Sequence, residues 1–341
     1  MIRRTAYLIA FGVTIYLLIP RLGGLERNIE ALHHAHLWLM LLGVAVEAAS
    51  LAAYVALYRS ILAAQGARVS VRAAAQGVMA GFLVSHVVPG GSVAGTIANV
   101  QTMEREGIGA RTTGLGITLT VIVSDIALAG LFLAGVIYAL AKRSVPVAFV
   151  ATAVVMIPIL GTLVGLVLLF AFRREAAGRT VHRVARLLHR VVRRIDADDL
   201  ERHAVEIADE TRRVLTGRRF VEALGLALAN WLLDIFVLYL FFLAVGRHQH
   251  FGALLVAYAV GNLVSAIPIT PSGLGVMEAT LVAISVGFGA PRSTAVVAVL
   301  GYRLVNFWLP LPVGVVAYLR ARGGPARRAE KPGPPSRGRH A

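Results

Sequence analysis

The feature that most constrains this chain is a series of long stretches with no charged residue, or with a single one. A helix needs about 20 apolar residues to cross the hydrocarbon core of a bilayer. The stretches in question lie at 5–20, 31–58, 73–103, 112–141, 144–172, 223–246, 248–291 and 293–319. They predict an all-α, polytopic integral membrane protein.

The composition agrees with this class. Hydrophobic residues make up 57% of the chain and charged residues 15%, whereas a soluble domain carries about 25% charged residues. A net charge of +16 would suit nucleic acid, but most basic residues flank apolar stretches, where they meet anionic lipid. We therefore expect membrane lipids as partners and no nucleic acid. The absence of cysteine excludes disulfides, zinc–thiolate sites and a thiol nucleophile.

Basic residues also predict the orientation. Cytoplasmic loops of membrane proteins are enriched in Lys and Arg. A cytoplasmic N-terminus puts 27 of the 34 Lys and Arg residues inside and six outside, which leaves Arg303 within a span. We expect a multi-pass protein of the cell inner (cytoplasmic) membrane with both termini in the cytoplasm.

Two of the apolar stretches are too long for one crossing, and both contain residues that break helices. The stretch 73–103 contains Pro89, Gly90 and Gly91, and the stretch 248–291 contains a Pro-, Gly- and hydroxyl-rich segment at 268–275. Each stretch predicts a helix–breaker–helix hairpin that re-enters the membrane. Such broken backbone is tolerated only where it is buried in protein or lines a wet cavity.

The segments around the two breaks resemble each other. Residues 81–85 read GFLVS and residues 261–265 read GNLVS, while GIGARTT at 107–113 is similar to GFGAPRST at 287–294. Opposite orientations of related segments are typical of inverted-repeat transporters. The predicted organisation is a first membrane half at 1–172, a cytoplasmic basic amphipathic insert at 173–219, a second half at 220–319 and a disordered basic tail at 320–341.

Ionisable residues within spans are costly and usually pair or serve function. Arg303 either binds a lipid phosphate or forms a structural ion pair. Asp125 occupies a related place in the other repeat, which suggests that it faces Arg303, and Glu278 is a second candidate partner of Arg303 when no lipid is bound. Glu47 is a further charge within a span. Hydroxyl groups and half-helix N-termini at the breaks attract anions. The candidate substrate-binding residues are Arg303, Glu278, Thr270, Pro271, Ser272, Gly273, Gly275, Pro89, Gly90, Gly91, Ser92, Asp125 and Asp234. No cofactor, metal site or catalytic residue is expected.

Three segments carry a resemblance to a known family. Residues 268–278 are similar to the pattern P-x-T-P-G-G-L-G-x-x-E, residues 301–310 to y-R-l-x-x-f-w-l-P, and residues 89–95 followed by Gly107 to a first-half motif. The chain resembles the lysylphosphatidylglycerol synthase transmembrane (flippase-like) family. It departs from that family after Pro89, where Ser92 and its neighbours replace a Gly-Glu and an Arg. Val121 and Ile122 likewise replace a Glu-Arg pair before Asp125.

The resemblance implies a flippase-like transporter that moves a phospholipid or lipid-linked head group, with an anionic phospholipid or a polyprenyl-linked lipid as partner. The aminoacyl-transfer domain of bifunctional members is not expected in this chain, so we do not expect an enzyme. Two alternatives stay open: a membrane-embedded transferase that uses a lipid carrier, and a non-transporting scaffold or regulatory subunit. Homo-oligomerisation also stays open.

Overall fold

A computed structural model describes residues 36–88, 91–141, 217–265 and 273–323, together with the single residues 162, 165 and 212. The predicted spans at 5–20 and 144–172, almost all of the insert at 173–219 and the tail beyond residue 323 lie outside these residues. The predicted domain boundaries therefore stay predictions.

The described residues form helices and their connections, with no strand among them. In chain order the helices are α1 (Leu37–Ala64), α2 (Val71–Val87), α3 (Gly91–Arg105), α4 (Ala110–Ala141), α5 (Arg218–Ala244), α6 (Phe251–Ser265), α7 (Val276–Gly287), α8 (Arg292–Arg303) and α9 (Pro310–Gly323), with a π-helical segment, Leu304–Trp308, between α8 and α9.

Four apolar helical stretches in the described part of the chain are long enough to cross a membrane: α1, α4, α5 and the continuous stretch Arg292–Gly323. The shortest of them has 27 residues, or about 40 Å at the helical rise of 1.5 Å per residue. This exceeds the hydrocarbon thickness of about 30 Å. The all-α, polytopic membrane fold is confirmed.

The helix breaks lie where the sequence predicts them. Helices α2 and α3 form the first broken pair, and α6 and α7 form the second. Within each pair the contacts run in opposite directions along the two helices, with Gly81 on Gly95 and Ser85 on Gly91 in the first, and Gly261 on Met277 and Ser265 on Gly273 in the second. Each pair is therefore an antiparallel hairpin. Re-entry of the hairpins into a bilayer stays a prediction.

Each half has the same order of elements: a long helix, a broken pair and a second long helix. The first helices of the halves, α1 and α5, pack along each other. Ser50 of α1 contacts Asn230 of α5, and the ends of the helices meet where Arg219 donates to Ala64 O and His36 N donates to Ala244 O. Equivalent helices thus run antiparallel, which is the geometry of an inverted repeat.

Among the described residues, the second long helix of each half packs on the broken pair of the other half. Helix α9 lies on α2, where a Cβ on Gly314 would come 2.9 Å from Met79 O. Helix α4 lies on α6, where a Cβ on Gly135 would come 2.8 Å from Leu255 Cδ2. This exchange joins the halves, and the main hydrophobic core forms around α4, α5, α6 and α8.

The sequence predicts one plain crossing at 293–319, and the structure differs there. Between α8 and α9 the helix widens into the π-helical segment Leu304–Trp308, closed by a hydrogen bond of 2.9 Å from Leu309 N to Leu304 O. The cause is Pro310, which has no N–H and whose ring disfavours the regular helical turn before it. π-Helical turns are frequent at functional sites, and this one contains Asn306 and Phe307.

Candidate functional site

A cavity of about 490 Å³ lies between the two halves. Its volume falls within the range of about 300–1,000 Å³ found for ligand pockets. The lining comes from both broken pairs and from the long helices, and its polar members are Glu47, Ser50, Tyr54, Tyr58, Ser85, His86, Ser92, Thr96, Asn99, Thr120, Asn230, Trp231, Asp234, Tyr258, Asn262, Ser265, Tyr302, Arg303 and Asn306. These polar groups lie among apolar side chains such as Leu51, Met79 and Phe307, and the cavity is partly open.

Arg303 is the buried cation of this cavity among the described residues. It is the last residue of α8, and its Nε lies 2.7 Å from Glu278 Oε1. Its guanidinium carbon lies 4.6 Å from the centre of the Phe307 ring. Glu278 in turn accepts a hydrogen bond of 2.6 Å from Gly275 N, so the same carboxylate caps the start of α7. Arg303 is therefore tied to the second break through Glu278.

A second polar cluster extends from Arg303 to the helices α1 and α5. Asn306 accepts from Arg303 Nη1 at 3.5 Å and donates through Nδ2 to Glu47 Oε1 at 3.3 Å and to Asp234 Oδ1 at 2.9 Å. Asp234 also accepts from the hydroxyl groups of Tyr258 and Tyr302. The π-helical segment brings Asn306 into a central position, where it links the cation to two carboxyl groups.

The broken pair of the first half, α2 and α3, supplies a neutral wall to the same cavity, while the carboxyl group that this half contributes, Glu47, belongs to α1. His86 Nδ1 lies 2.7 Å from Phe82 O and 3.0 Å from Ser85 Oγ, and its ring contacts Phe307 edge-on at 5.1 Å between ring centres. On α3, Asn99 accepts a hydrogen bond of 3.1 Å from Tyr58 of α1. This wall offers hydroxyl, amide and imidazole groups but no permanent charge.

The structure brings several predicted site residues together. Arg303, Asp234 and Ser92 line the cavity, and Glu278 holds Arg303. Gly91 and Gly273 pack against Ser85 and Ser265 at the two breaks, and Gly275 precedes α7 with φ +83°. Pro89, Gly90, Thr270, Pro271 and Ser272 lie outside the described residues, so the predicted approach of the two breaks to each other stays a prediction.

The structure does not place Asp125 opposite Arg303. Asp125 lies on α4 beside Tyr54 of α1 and is not among the described residues that line the cavity. Helix α4 packs on α1, α5 and α6, whereas α8 packs on α5 and α7. Arg303 therefore meets Glu278 of α7 and not Asp125 of α4.

Four residues of the site are not predicted by the sequence: Glu47 as part of the site, and Asn306, Tyr258 and Tyr302 as its hydrogen-bonding groups. For Glu47 the available signal is its charge within a span. The other three are neutral side chains in apolar stretches, where they differ little from residues that only pack. Only their convergence on Asp234 in three dimensions identifies them.

Comparisons with known proteins agree with the fold. A family described as the transmembrane (TM) region of lysylphosphatidylglycerol synthase matches residues 7–314. A UPF0104 membrane protein of Pyrococcus horikoshii is 21% identical over 92% of this chain and 96% of its own length. Matches to a UPF0104 membrane protein of Methanothermobacter thermautotrophicus, at 33% identity, and to the inner membrane protein YbhN of Escherichia coli, at 27%, each cover 27% of the relative.

Proposed function

Because this chain belongs to the lysylphosphatidylglycerol synthase transmembrane-region family, we propose that it is a flippase-like transporter for the head group of a phospholipid or lipid-linked molecule. The observation that carries the proposal is the polar cavity between two inverted halves, with Arg303 in its wall. Inverted-repeat transporters bind their substrates between the repeats, near the midplane of the membrane.

Arg303 supplies the charge that such a substrate needs. A phosphate that enters the bilayer core without a positive partner carries a prohibitive desolvation cost. The hydrogen bonds of Arg303 to Glu278 and Asn306 use Nε and Nη1, which leaves Nη2 to bind a phosphate oxygen. The planar guanidinium matches phosphate geometry better than an ammonium group does.

Glu278 gives Arg303 a partner when no lipid is bound. An unpaired buried charge costs several kcal/mol, on the order of 3–5 kcal/mol when one partner of a buried pair is removed. In our proposal the phosphate takes the place of Glu278 beside Arg303, and Glu278 retains its bond to Gly275 N. The ion pair thus alternates with a lipid complex.

The experiment follows a fluorescent phosphatidylglycerol in reconstituted vesicles, with a membrane-impermeant quencher that reports the outer leaflet. We expect Arg303→Ala to reduce lipid movement to the level of protein-free vesicles and Arg303→Lys to keep part of the rate. The matched control is Arg292→Ala, which removes an exposed arginine at the other end of α8. Normal movement in a folded Arg303→Ala protein would refute the proposal, as would absence of movement with the unaltered protein.

We also propose that the protein lies in the inner membrane with its termini in the cytoplasm, as the distribution of basic residues predicts. The loops at residues 65–70 and 245–250 lie at opposite ends of the antiparallel helices α1 and α5. In intact cells, Ala67→Cys should resist a membrane-impermeant thiol reagent and His248→Cys should react. Because the chain has no cysteine of its own, each signal reports one site. The reverse pattern would overturn this orientation.

A further inference from the structure

Two carboxyl groups meet in the cavity away from the ion pair. Glu47 comes from α1 and Asp234 from α5, the first long helices of the two halves. Both side chains are almost fully enclosed, with 3% of Glu47 and 6% of Asp234 exposed. One amide nitrogen, Asn306 Nδ2, donates to both carboxyl groups, at 3.3 Å to Glu47 Oε1 and at 2.9 Å to Asp234 Oδ1, so the two groups lie close together. The pair thus lies where the two halves join.

Asp234 accepts more hydrogen bonds than Glu47 does. Asp234 accepts from Tyr258, Tyr302 and Asn306. Glu47 receives only the bond of 3.3 Å from Asn306 to Oε1, and its Oε2 is buried with no donor among the described residues. A buried acceptor without a donor costs about 1–3 kcal/mol, and more when it is charged. Glu47 Oε2 can therefore accept a hydrogen bond for which the described residues provide no donor.

The charges of the cluster lead to the same conclusion. The ionisable groups that face the pair are Tyr258 of α6 and Tyr302 and Arg303 of α8. Arg303 already has Glu278 at 2.7 Å, so a single cation serves three carboxyl groups. Two buried carboxylates that share one donor repel each other unless one proton is bound between them, as in the acid pairs of aspartic proteases.

We propose that Glu47 and Asp234 form a proton-binding site, in which one proton bridges the two carboxyl groups. The neighbouring groups favour a proton over a metal cation. Both tyrosine hydroxyls and the Asn306 amide direct hydrogens toward the carboxyl oxygens, whereas a cation would require oxygen lone pairs in those positions. The described residues also contain no cluster of three metal-ligating side chains.

Asn306 connects this proton to the lipid path, so the inference builds on the proposed function. Its Oδ1 accepts from Arg303 and its Nδ2 donates to both acids. When a phosphate replaces Glu278 beside Arg303, the added negative charge favours the bound proton. By linkage, the proton favours the phosphate equally. One proton therefore accompanies each anionic head group across the membrane.

The first test detects the proton itself. The protein is placed in vesicles of phosphatidylcholine and phosphatidylglycerol, and infrared spectra are compared between water and heavy water. The difference should show the band of a protonated carboxyl group, which shifts when its proton is exchanged. Glu47→Gln and Asp234→Asn should each remove it, whereas Glu222→Gln, an exposed acid of α5, should leave it unchanged. Absence of the band in the unaltered protein, or its persistence in both variants, would overturn the proton site. Absence of the band in the unaltered protein overturns the site even if a variant fails to fold.

The second test measures coupling in the same vesicles. With one proton per head group, a gradient of one pH unit should shift the leaflet ratio of labelled phosphatidylglycerol about tenfold. In Glu47→Gln the leaflet ratio should no longer respond to the gradient, whereas in Glu222→Gln, an exposed acid of α5, the response should remain. A response to a sodium gradient in place of the pH gradient would overturn the proton assignment. If lipid stays immobile while the carboxyl band is present, the proposed function fails and the proton site stands.

Discussion

In the first broken pair Ser85 packs on Gly91 across the break, and in the second Ser265 packs on Gly273 in the same way. The residues next to these two serine–glycine contacts differ. The first turn of α7 contains Glu278, which pairs with Arg303, whereas the first turn of α3 contains no acid. The two halves thus share a backbone arrangement, while the buried ion pair of Arg303 and Glu278 belongs to the second half. The proposed lipid site depends on this difference between the halves.

The largest stability difference should come from the ion pair that only the second half has. Glu278→Ala leaves Arg303 buried without its carboxylate, and we expect a loss of about 3–5 kcal/mol in the free energy of unfolding. The matched control is Glu222→Ala, which breaks the exposed pair with Arg218 and should cost less than about 1 kcal/mol. Detergent unfolding titrations followed by tryptophan fluorescence measure both. Equal losses would show that the Arg303 site is not electrostatically special.

A smaller difference in stability is expected between glycine substitutions in the two broken pairs. A Cβ on Gly95 would lie 2.6 Å from Gly81 O, a backbone atom, whereas a Cβ on Gly261 would lie 2.9 Å from the flexible end of Met277. Gly95→Ala should cost about 1–3 kcal/mol through overpacking, and Gly261→Ala should cost less because Met277 can move.

Gly114→Ala is the control for this comparison, since no described residue outside its own helical turn lies within 4 Å of its Cβ position. We expect it to stabilise α4 by about 0.4–1 kcal/mol, because alanine reduces the freedom of the unfolded chain. The same unfolding titrations apply. A larger loss of stability for Gly261→Ala than for Gly95→Ala would contradict the expectation that a glycine against backbone is harder to replace than one against a flexible side chain.

The smallest difference concerns the tyrosines that tie each first helix to its broken pair. Tyr58 of α1 donates to the neutral amide of Asn99 on α3, and Tyr258 of α6 donates to Asp234 on α5. Net hydrogen bonds are worth about 1 kcal/mol between neutral groups and about 1.5–3 kcal/mol to charged groups. Tyr258→Phe should therefore destabilise more than Tyr58→Phe in the same titration. The opposite order would indicate that Asp234 is well satisfied without Tyr258.

Much of the architecture could be predicted because membrane spans and their interruptions are local features of the sequence. Pro89 and the segment at 268–275 lack the donors or the φ preferences that a helix needs, so the breaks were visible before the structure. The exchange of α4 and α9 between the halves was not predictable, because it depends on which glycine-lined surfaces meet. The π-helical segment before Pro310 was missed for a similar reason, since proline also permits a kink or a helix end.

The site was only partly predictable. Arg303 and Glu278 could be predicted as site residues because a charged residue within a membrane span usually pairs with another residue or serves a function. The choice between Glu278 and Asp125 as the partner of Arg303 required the helix neighbours, since matched positions in two repeats do not make two residues adjacent. Asn306, Tyr258 and Tyr302 carry no charge, and their role depends on their distances to Asp234.

The central claim is that lipid head groups pass between the two broken pairs, and cysteines at the paired serines test it most directly. Ser85 and Ser265 both line the cavity. The chain contains no cysteine of its own, so each cysteine variant carries a single thiol. Attachment of a bulky thiol reagent to Ser85→Cys or to Ser265→Cys should stop lipid movement in reconstituted vesicles. The same reagent on Thr118→Cys, at an exposed position of α4, should not. Full lipid movement after complete labelling of both cavity cysteines would contradict the claim.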